Sequence, residues 1–231
     1  MRLLHRYRPI VLGTVLMVPL CFSSAASRVS IDFGQFWAQA ENTSARSLVS
    51  QKQEMHSLLG KTGELSIQQK LEQVNRYFAK WVTYQTDDVV WQQHDYWATP
   101  AEMLSKGEGD CEDYAIAKYL FLNEMGIDSA QLRLIYVKAR IGGRRSSRTQ
   151  AHMVLGYYAS NNSEPLILDS LLDDILPASQ RTDLTPVFSF NSEGIWSPGS
   201  TQSVGSPTAR LSRWRNLLQK IGQEGLVLND V

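Results

Sequence analysis

The segment from Cys111 to Met125 places the strongest constraint on the fold. Apolar side chains occupy most of its positions rather than one stripe, and Gly126 follows where a C-cap glycine is expected. A helix that is apolar on most sides has to be enclosed by other elements of the chain. The sequence therefore predicts a buried central helix that carries Cys111 in its first turn.

Helices are predicted before this segment and strands after it. Apolar residues at spacings of four and three predict an amphipathic helix over 67–81. The run Thr99-Pro100-Ala101-Glu102 is typical of an N-cap, a proline at N1 and a capping-box glutamate, so a short helix should start there and end near Gly107. Strand-like runs follow at 132–139, 151–158 and 166–169. This order favours an α+β fold in one globular domain.

The N-terminus is typical of an export signal. Three arginines precede an apolar run over 10–22, and the small residues Ser24-Ala25-Ala26 suit a signal peptidase. The run is shorter than the roughly 20 apolar residues of a membrane span, although an uncleaved anchor stays the alternative. We therefore expect a signal peptide at 1–26, a folded domain at 27–198, and a Ser/Gly/Pro linker with an amphipathic helix at 199–231, in an exported protein that is not embedded in the membrane.

Charge and cysteine content narrow the function. Removing 1–26 would take away three of the 23 Lys and Arg residues and none of the 23 Asp and Glu residues, which leaves no basic footprint for nucleic acid. The same cleavage would remove Cys21 and leave Cys111 as the single thiol. An unpaired cysteine in an exported protein is either a buried small hydrophobe or a reactive group.

Three residues suggest that this thiol is reactive. A helix N-terminus favours the thiolate, and Cys111 is predicted to lie there. His152 lies inside a strand-like run, and Asp169 ends the next one. The three residues have the order thiol, base and orienting acid of a catalytic triad. Taken singly, a structural histidine and a turn-forming aspartate stay open as alternatives.

The acids beside Cys111 create an electrostatic problem. Asp110, Glu112 and Asp113 place like charges next to a thiol that has to ionise. First-turn acids are common partners of the helix dipole, which would account for one or two of them. Carboxylates without histidine or cysteine ligands also suit a hard cation, and Ca²⁺ tolerates irregular geometry better than Mg²⁺. The alternating acids and central glycine of an EF-hand are missing.

Motifs spread over residues 91–196 resemble a known family. They are Asp95-Tyr96-Trp97-Ala98-Thr99-Pro100, Gly109-Asp110-Cys111-Glu112-Asp113-Tyr114-Ala115, Ala151-His152-Met153-Val154-Leu155, Leu168-Asp169 and Pro186-Val187-Phe188-Ser189-Phe190-Asn191. In this order they resemble the bacterial transglutaminase-like cysteine proteases, and among these the LapG-type periplasmic proteases. The resemblance implies a papain-like core with a helical lobe and an antiparallel β-sheet lobe. It maps the family's triad onto Cys111, His152 and Asp169.

The same resemblance implies a cofactor, a substrate and a partner. It implies Ca²⁺ bound by Asp110, Glu112 and Asp113, which flank the thiol in sequence. It implies cleavage of a large LapA-like surface adhesin near its N-terminus, at a paired-alanine site, which releases cells from a biofilm. It also implies sequestration by an inner-membrane cyclic-di-GMP receptor of the LapD type.

Two other functions stay open from the residues. A transglutaminase or other acyltransferase would use the same triad with an amine as acceptor, and a calcium-binding module would carry an inert cysteine. For the oxyanion of the protease, the backbone N–H of Cys111 is a natural donor at a helix start, and the indole N–H of Trp97 is a second candidate.

Overall fold

The computed structural model describes residues 28–160 and 162–229. The predicted signal peptide at 1–26 therefore lies outside the described residues. Within these two ranges, no helix combines the length and the apolar character that a membrane crossing requires.

The described chain contains both helices and strands. The helices are α1 (Phe33–Thr43), α2 (Val49–Gly60), α3 (Ile67–Trp81), α4 (Asp87–Val90), α5 (Pro100–Lys106), α6 (Cys111–Glu124), α7 (Pro207–Arg210) and α8 (Ser212–Gln223). The strands are β1 (Arg28–Ile31), β2 (Thr83–Tyr84), β3 (Glu108–Gly109), β4 (Leu132–Arg140), β5 (Thr149–Tyr157), β6 (Leu166–Leu168), β7 (Leu176–Pro177), β8 (Leu184–Phe190), β9 (Ile195–Trp196) and β10 (Leu226–Asn229). The prediction of an α+β fold is confirmed.

The main sheet is antiparallel and has the strand order β7-β6-β5-β4-β8-β9. Its centre is the long hairpin of β4 and β5, which is in register from Leu132 opposite Tyr157 to Arg140 opposite Thr149. Strand β6 is shorter and pairs with β5 only as far as Leu168 opposite Leu155. Because β6 ends early, no strand of the described residues pairs with the first half of β5 on that side, and Asp169, which follows β6, reaches His152 there.

Helix α6 is the centre of the molecule, as its composition predicts. Its residues from Asp113 to Asn123 are all buried, and it packs against β5, β4 and α3. Gly126 has a φ of 83°, a left-handed conformation that glycine adopts without a steric penalty. Since α6 is enclosed on all sides, its N-terminal residue is held in a fixed place against the sheet.

The two faces of the main sheet differ in what they pack against. Side chains such as Leu134, Met153 and Leu155 belong to the large core that also contains α6. Alternate positions point to the other face, because successive side chains of a strand point to opposite sides. There a separate, smaller cluster forms, made of Ile135, Val137, Val154 and Ile167.

The C-terminal helix α8 packs onto the domain, which the sequence alone does not predict. Its side chains Trp214, Leu217 and Ile221 are buried. The indole of Trp214 lies edge-on against Tyr119 of α6 and Phe190 of β8, with ring centroids 6.0 and 5.5 Å apart. The final strand β10 then pairs with β1.

Candidate active site

Cys111 is the first residue of α6 and is 6% exposed. The preceding strand β3 brings the chain to this point in contact with β2. Gly109 allows this close approach, since a Cβ atom there would lie 2.9 Å from Asp113 Oδ2 and 3.0 Å from Met103 Cγ. The glycine of the Gly-Asp-Cys run is therefore required by packing, and it places the thiol at the helix N-terminus.

The Cys111 sulfur lies against strand β5. The backbone N–H of Met153 faces it and favours the thiolate. Because Met153 directly follows His152, the thiol is held beside the strand segment that carries the predicted base.

His152 and Asp169 form a buried pair. His152 Nε2 lies 2.7 Å from Asp169 Oδ1, and the two residues are 2% and 3% exposed. An ionised carboxylate only accepts hydrogen bonds, so Nε2 carries the proton and Nδ1 of the neutral imidazole keeps its lone pair. Nδ1 is buried and has no hydrogen-bond partner among the described residues. The arrangement thus presents a fixed imidazole with a free basic nitrogen.

The second oxygen of Asp169 accepts a hydrogen bond from Arg181, a residue that the sequence alone does not indicate. Arg181 Nη2 donates to Asp169 Oδ2 at 2.7 Å, and the Leu171 N–H donates to Oδ1 at 3.0 Å. Burial alone would raise the pKa of Asp169. The hydrogen bond and charge of His152, together with Leu171 and Arg181, instead hold this pKa well below its usual range. No motif in the sequence indicates Arg181, which lies in the loop before β8.

Glu112 holds the thiol in its protonated form. The Cys111 thiol donates to Glu112 Oε2 at 2.7 Å. Burial raises the pKa of Cys111, and so do the charge of Glu112, the hydrogen bond to it and the charge of Asp110. The electrostatic conflict expected from the sequence is therefore present in the structure.

The predicted metal-binding acids lie close together, and Asp87 lies with them. Ligand atoms of Asp110, Cys111 and Glu112 lie within 4.8 Å of one another, and so do those of Asp87, Asp110 and Asp113. Asp87 comes from α4, well before the others in sequence, so the local run of acids gave no sign of it. We call Asp87, Asp110, Glu112 and Asp113 the acidic cluster.

The acidic cluster has the character of a site for a hard cation. Burial and the neighbouring carboxylates raise the pKa of Asp110 to about 9, and burial raises that of Asp113 to about 8 and that of Asp87 to about 6. Asp110 Oδ1 and Asp87 Oδ1 are buried without a hydrogen-bond partner among the described residues. Grouped carboxylate oxygens with unused lone pairs are the ligands that Ca²⁺ takes. The residues present therefore fit a calcium ion.

Trp97 does not offer its indole to the site. Its Nε1 donates to Asp95 Oδ1 at 3.2 Å, and its ring stacks on Phe190 at 6.0 Å. The side chain is 7% exposed. Of the two donors considered for the oxyanion, the backbone N–H of Cys111 is thus the better placed.

Comparisons with known proteins agree with this geometry. The family model of the bacterial transglutaminase-like cysteine proteinases matches residues 33–188. Among solved structures, EGTA-treated LapG of Legionella pneumophila is 35% identical, with a TM-score of 0.69, over 83% of this chain and 98% of that one. Calcium-bound LapG of the same organism is 36% identical, with a TM-score of 0.69, over 83% of this chain and 99% of that one. Curated protein sequences give no match.

Proposed function

The chain belongs to the family of bacterial transglutaminase-like cysteine proteinases, and on this premise we propose that it is a calcium-dependent endopeptidase with a Cys111-His152-Asp169 triad. Family membership makes it a cysteine protease. The roles of the three residues, the calcium dependence and the substrate are the parts that we propose.

One observation carries the assignment of the triad. The imidazole of His152 is fixed by Asp169 through Nε2, while its Nδ1 is buried and unpartnered among the described residues. A histidine that served only in packing would satisfy both nitrogens or expose one to water. A base oriented by an acid, on the strand whose Met153 N–H faces a thiol at a helix start, fits the needs of nucleophilic catalysis.

The reaction follows from these positions. His152 Nδ1 takes the thiol proton, and the Cys111 sulfur attacks a peptide carbonyl carbon. The developing oxyanion is stabilised by the Cys111 N–H and the N-terminus of α6. The imidazolium, held by Asp169, then returns its proton to the leaving amine. Water attacks the resulting thioester, releases the acid product and restores the thiol.

The acidic cluster would hold Ca²⁺ in this enzyme. A bound cation supplies positive charge that offsets the carboxylates around Cys111. The oxygens for the ion would come from Asp87 in α4, from Asp110 just before α6 and from Asp113 in α6. Glu112 links the cluster to the thiol, because it accepts the hydrogen bond of the thiol. The calcium-bound form of Legionella pneumophila LapG, 36% identical, supports the choice of ion.

The substrate, the compartment and the partner rest on family likeness. We propose that the enzyme acts in the periplasm, after export directed by residues 1–26. Its substrate would be a large surface adhesin cut near its N-terminus at a paired-alanine site, which would release cells from a biofilm. An inner-membrane cyclic-di-GMP receptor of the LapD type would sequester it.

A cleavage assay tests the proposal. The chain without residues 1–26 is incubated with the N-terminal region of the organism's large adhesin, with calcium or with a chelator, and the fragments are sized by mass spectrometry. We expect two fragments with calcium, none with chelator, and a loss of about a thousandfold or more in Cys111→Ala and His152→Ala. His94→Ala is the matched control, because the His94 side chain is 92% exposed.

The outcomes separate the proposal from its rivals. Incorporation of an added amine without cleavage would identify an acyltransferase that uses the same triad. Full activity of folded Cys111→Ala would identify a module in which the cysteine is inert.

A further inference from the structure

The sheet face turned away from α6 carries a cavity of about 430 Å³. Its floor is the smaller apolar cluster of Ile135, Val137, Val154 and Ile167, and residues 197–201 form part of its wall. Its size lies within the range of pockets that hold small organic ligands. None of the predicted triad or metal-binding residues lines it.

A buried arginine without an ion-pair partner among the described residues lines this cavity. Arg133 is 7% exposed, and its guanidinium lies between the rings of Trp196 and Tyr158, at 4.0 and 4.9 Å from their centroids. Its Nε is buried without a hydrogen-bond partner among the described residues. Glu193 acts on it only from beyond ion-pair distance, and that carboxylate already accepts from Ser129. The two aromatic rings lie against the guanidinium, and its Nε–H has no partner among the described residues.

A second buried arginine lines the same cavity. Arg181 is 8% exposed and uses Nε and Nη2 to bind Asp183 and Asp169. Its Nη1 is buried and has no partner among the described residues. Two guanidinium groups therefore line the cavity above its apolar floor, and each has a buried N–H donor without a partner among the described residues.

This combination selects a class of ligand. A buried charge without a partner is unfavourable, and an anion that enters the cavity offsets part of that penalty. A carboxylate matches the planar donors of a guanidinium, and an apolar body matches the floor. We propose that this cavity binds an amphipathic monocarboxylate, with its carboxylate on Arg133 and Arg181 and its apolar body against the sheet.

The ligand chemistry has two possible sources. A medium-chain fatty acid and the C-terminal residue of an apolar peptide both combine a monocarboxylate with an apolar body. Neither uses the thiol, so the proposal goes beyond the proteolytic function and can be tested in a chain that cannot cleave peptides.

Calorimetric titration of the Cys111→Ser chain, with calcium present, tests the proposal. The probes are octanoate and its neutral analogue 1-octanol, and the peptide acetyl-Leu-Leu-Val as free acid and as C-terminal amide. We expect at least one acid to bind tenfold or more tightly than its neutral analogue. Tighter octanoate assigns the site to a fatty acid, and tighter peptide acid assigns it to a peptide C-terminus.

Variants locate the binding. Arg133→Met should weaken the preferred acid about tenfold or more and leave the neutral analogue unchanged. Ala178→Trp fills the cavity, which Ala178 lines, and should abolish binding even if Arg133→Met does not fold. Gln180→Trp in the same turn is the matched control, since Gln180 is exposed and does not line the cavity. Failure of both acids to bind, or equal binding of acid and neutral analogue, would overturn the proposal.

Discussion

Buried aspartates occur in two settings on either side of the proposed nucleophile, and their environments are opposite. Asp169 is surrounded by donors: His152 and the Leu171 N–H bind one oxygen and Arg181 binds the other. In the acidic cluster, Asp110 and Asp87 each keep a buried oxygen without a partner among the described residues. The pKa of Asp169 is held below its usual range, while the pKa of Asp110 is raised to about 9.

The two settings differ in where the positive charge that balances the carboxylates comes from. At Asp169 the protein supplies the positive charge itself, so the carboxylate stays ionised and orients the base. In the acidic cluster the described residues bring carboxylates together without an ion-paired cation, so ionising them at neutral pH destabilises the folded state. On our proposal, the base side of the triad therefore has its charged partners within the chain, whereas the nucleophile side requires an added ion.

Removing Arg181 should weaken the network in which Asp169 binds His152. In Arg181→Gln a buried ion pair loses one partner, and we expect about 4 kcal/mol of destabilisation in urea unfolding. The pKa of Asp169 should rise at the same time. The acidic limb of the pH profile of kcat/KM should then move to higher pH, a change that loss of packing alone would not produce. Arg181→Lys should restore part of both quantities.

Arg148→Gln is the control for this prediction, because Arg148 is exposed and lies in the β4–β5 loop. An acidic limb that stays in place in a folded Arg181→Gln enzyme would show that Arg181 does not act through Asp169.

Calcium should stabilise the folded protein by binding to the acidic cluster. Binding to the folded state alone at a hundredfold excess over the dissociation constant stabilises by about 2.7 kcal/mol, which differential scanning calorimetry would detect as a higher Tm. The gain should be larger at pH 8 than at pH 5. At pH 5 the carboxylates of Asp110 and Asp113 hold protons, since their pKa values are about 9 and about 8, and protons compete with the ion.

Magnesium is the comparison ion for this prediction. It demands regular octahedral geometry and keeps its waters, so an irregular cluster should bind it more weakly than calcium. An equal Tm gain from both ions, or none from calcium, would contradict a calcium site.

The sequence predicted best what local chemistry determines. The caps around α5 and the apolar content of α6 follow from side chains near in sequence, and the structure has both elements where the sequence placed them. The pairing of His152 with Asp169 was also accessible, because consecutive strands of an antiparallel sheet are neighbours.

Residues brought in from a distance could not be found in this way. Arg181 and Asp87 reach the site through loop geometry and a short helix, and no periodicity marks either position. Arg133 was hidden for another reason: a charged residue inside a strand is usually solvent-facing, and only the folded sheet covers it with Trp196 and Tyr158.

A substitution of Asp87 tests the contrast between the two settings with the smallest expected effect. Asp87→Asn keeps the shape and one side-chain oxygen but removes one negative charge from the acidic cluster. We expect calcium affinity to fall about tenfold by calorimetric titration, equivalent to about 1.4 kcal/mol. The calcium-free protein should change in the opposite sense and become slightly more stable, because burial, together with repulsion from Glu112, raises the pKa of Asp87 to about 6 and makes its charge unfavourable in the folded state.

Asp88→Asn is the matched control, since Asp88 is adjacent in α4 but its side chain is 69% exposed. It should leave both calcium affinity and stability nearly unchanged. If the two variants lose calcium equally, the effect is one of general surface charge and Asp87 is not a ligand. If only Asp87→Asn weakens calcium while it stabilises the calcium-free chain, the same carboxylate that destabilises the fold is the one that binds the ion.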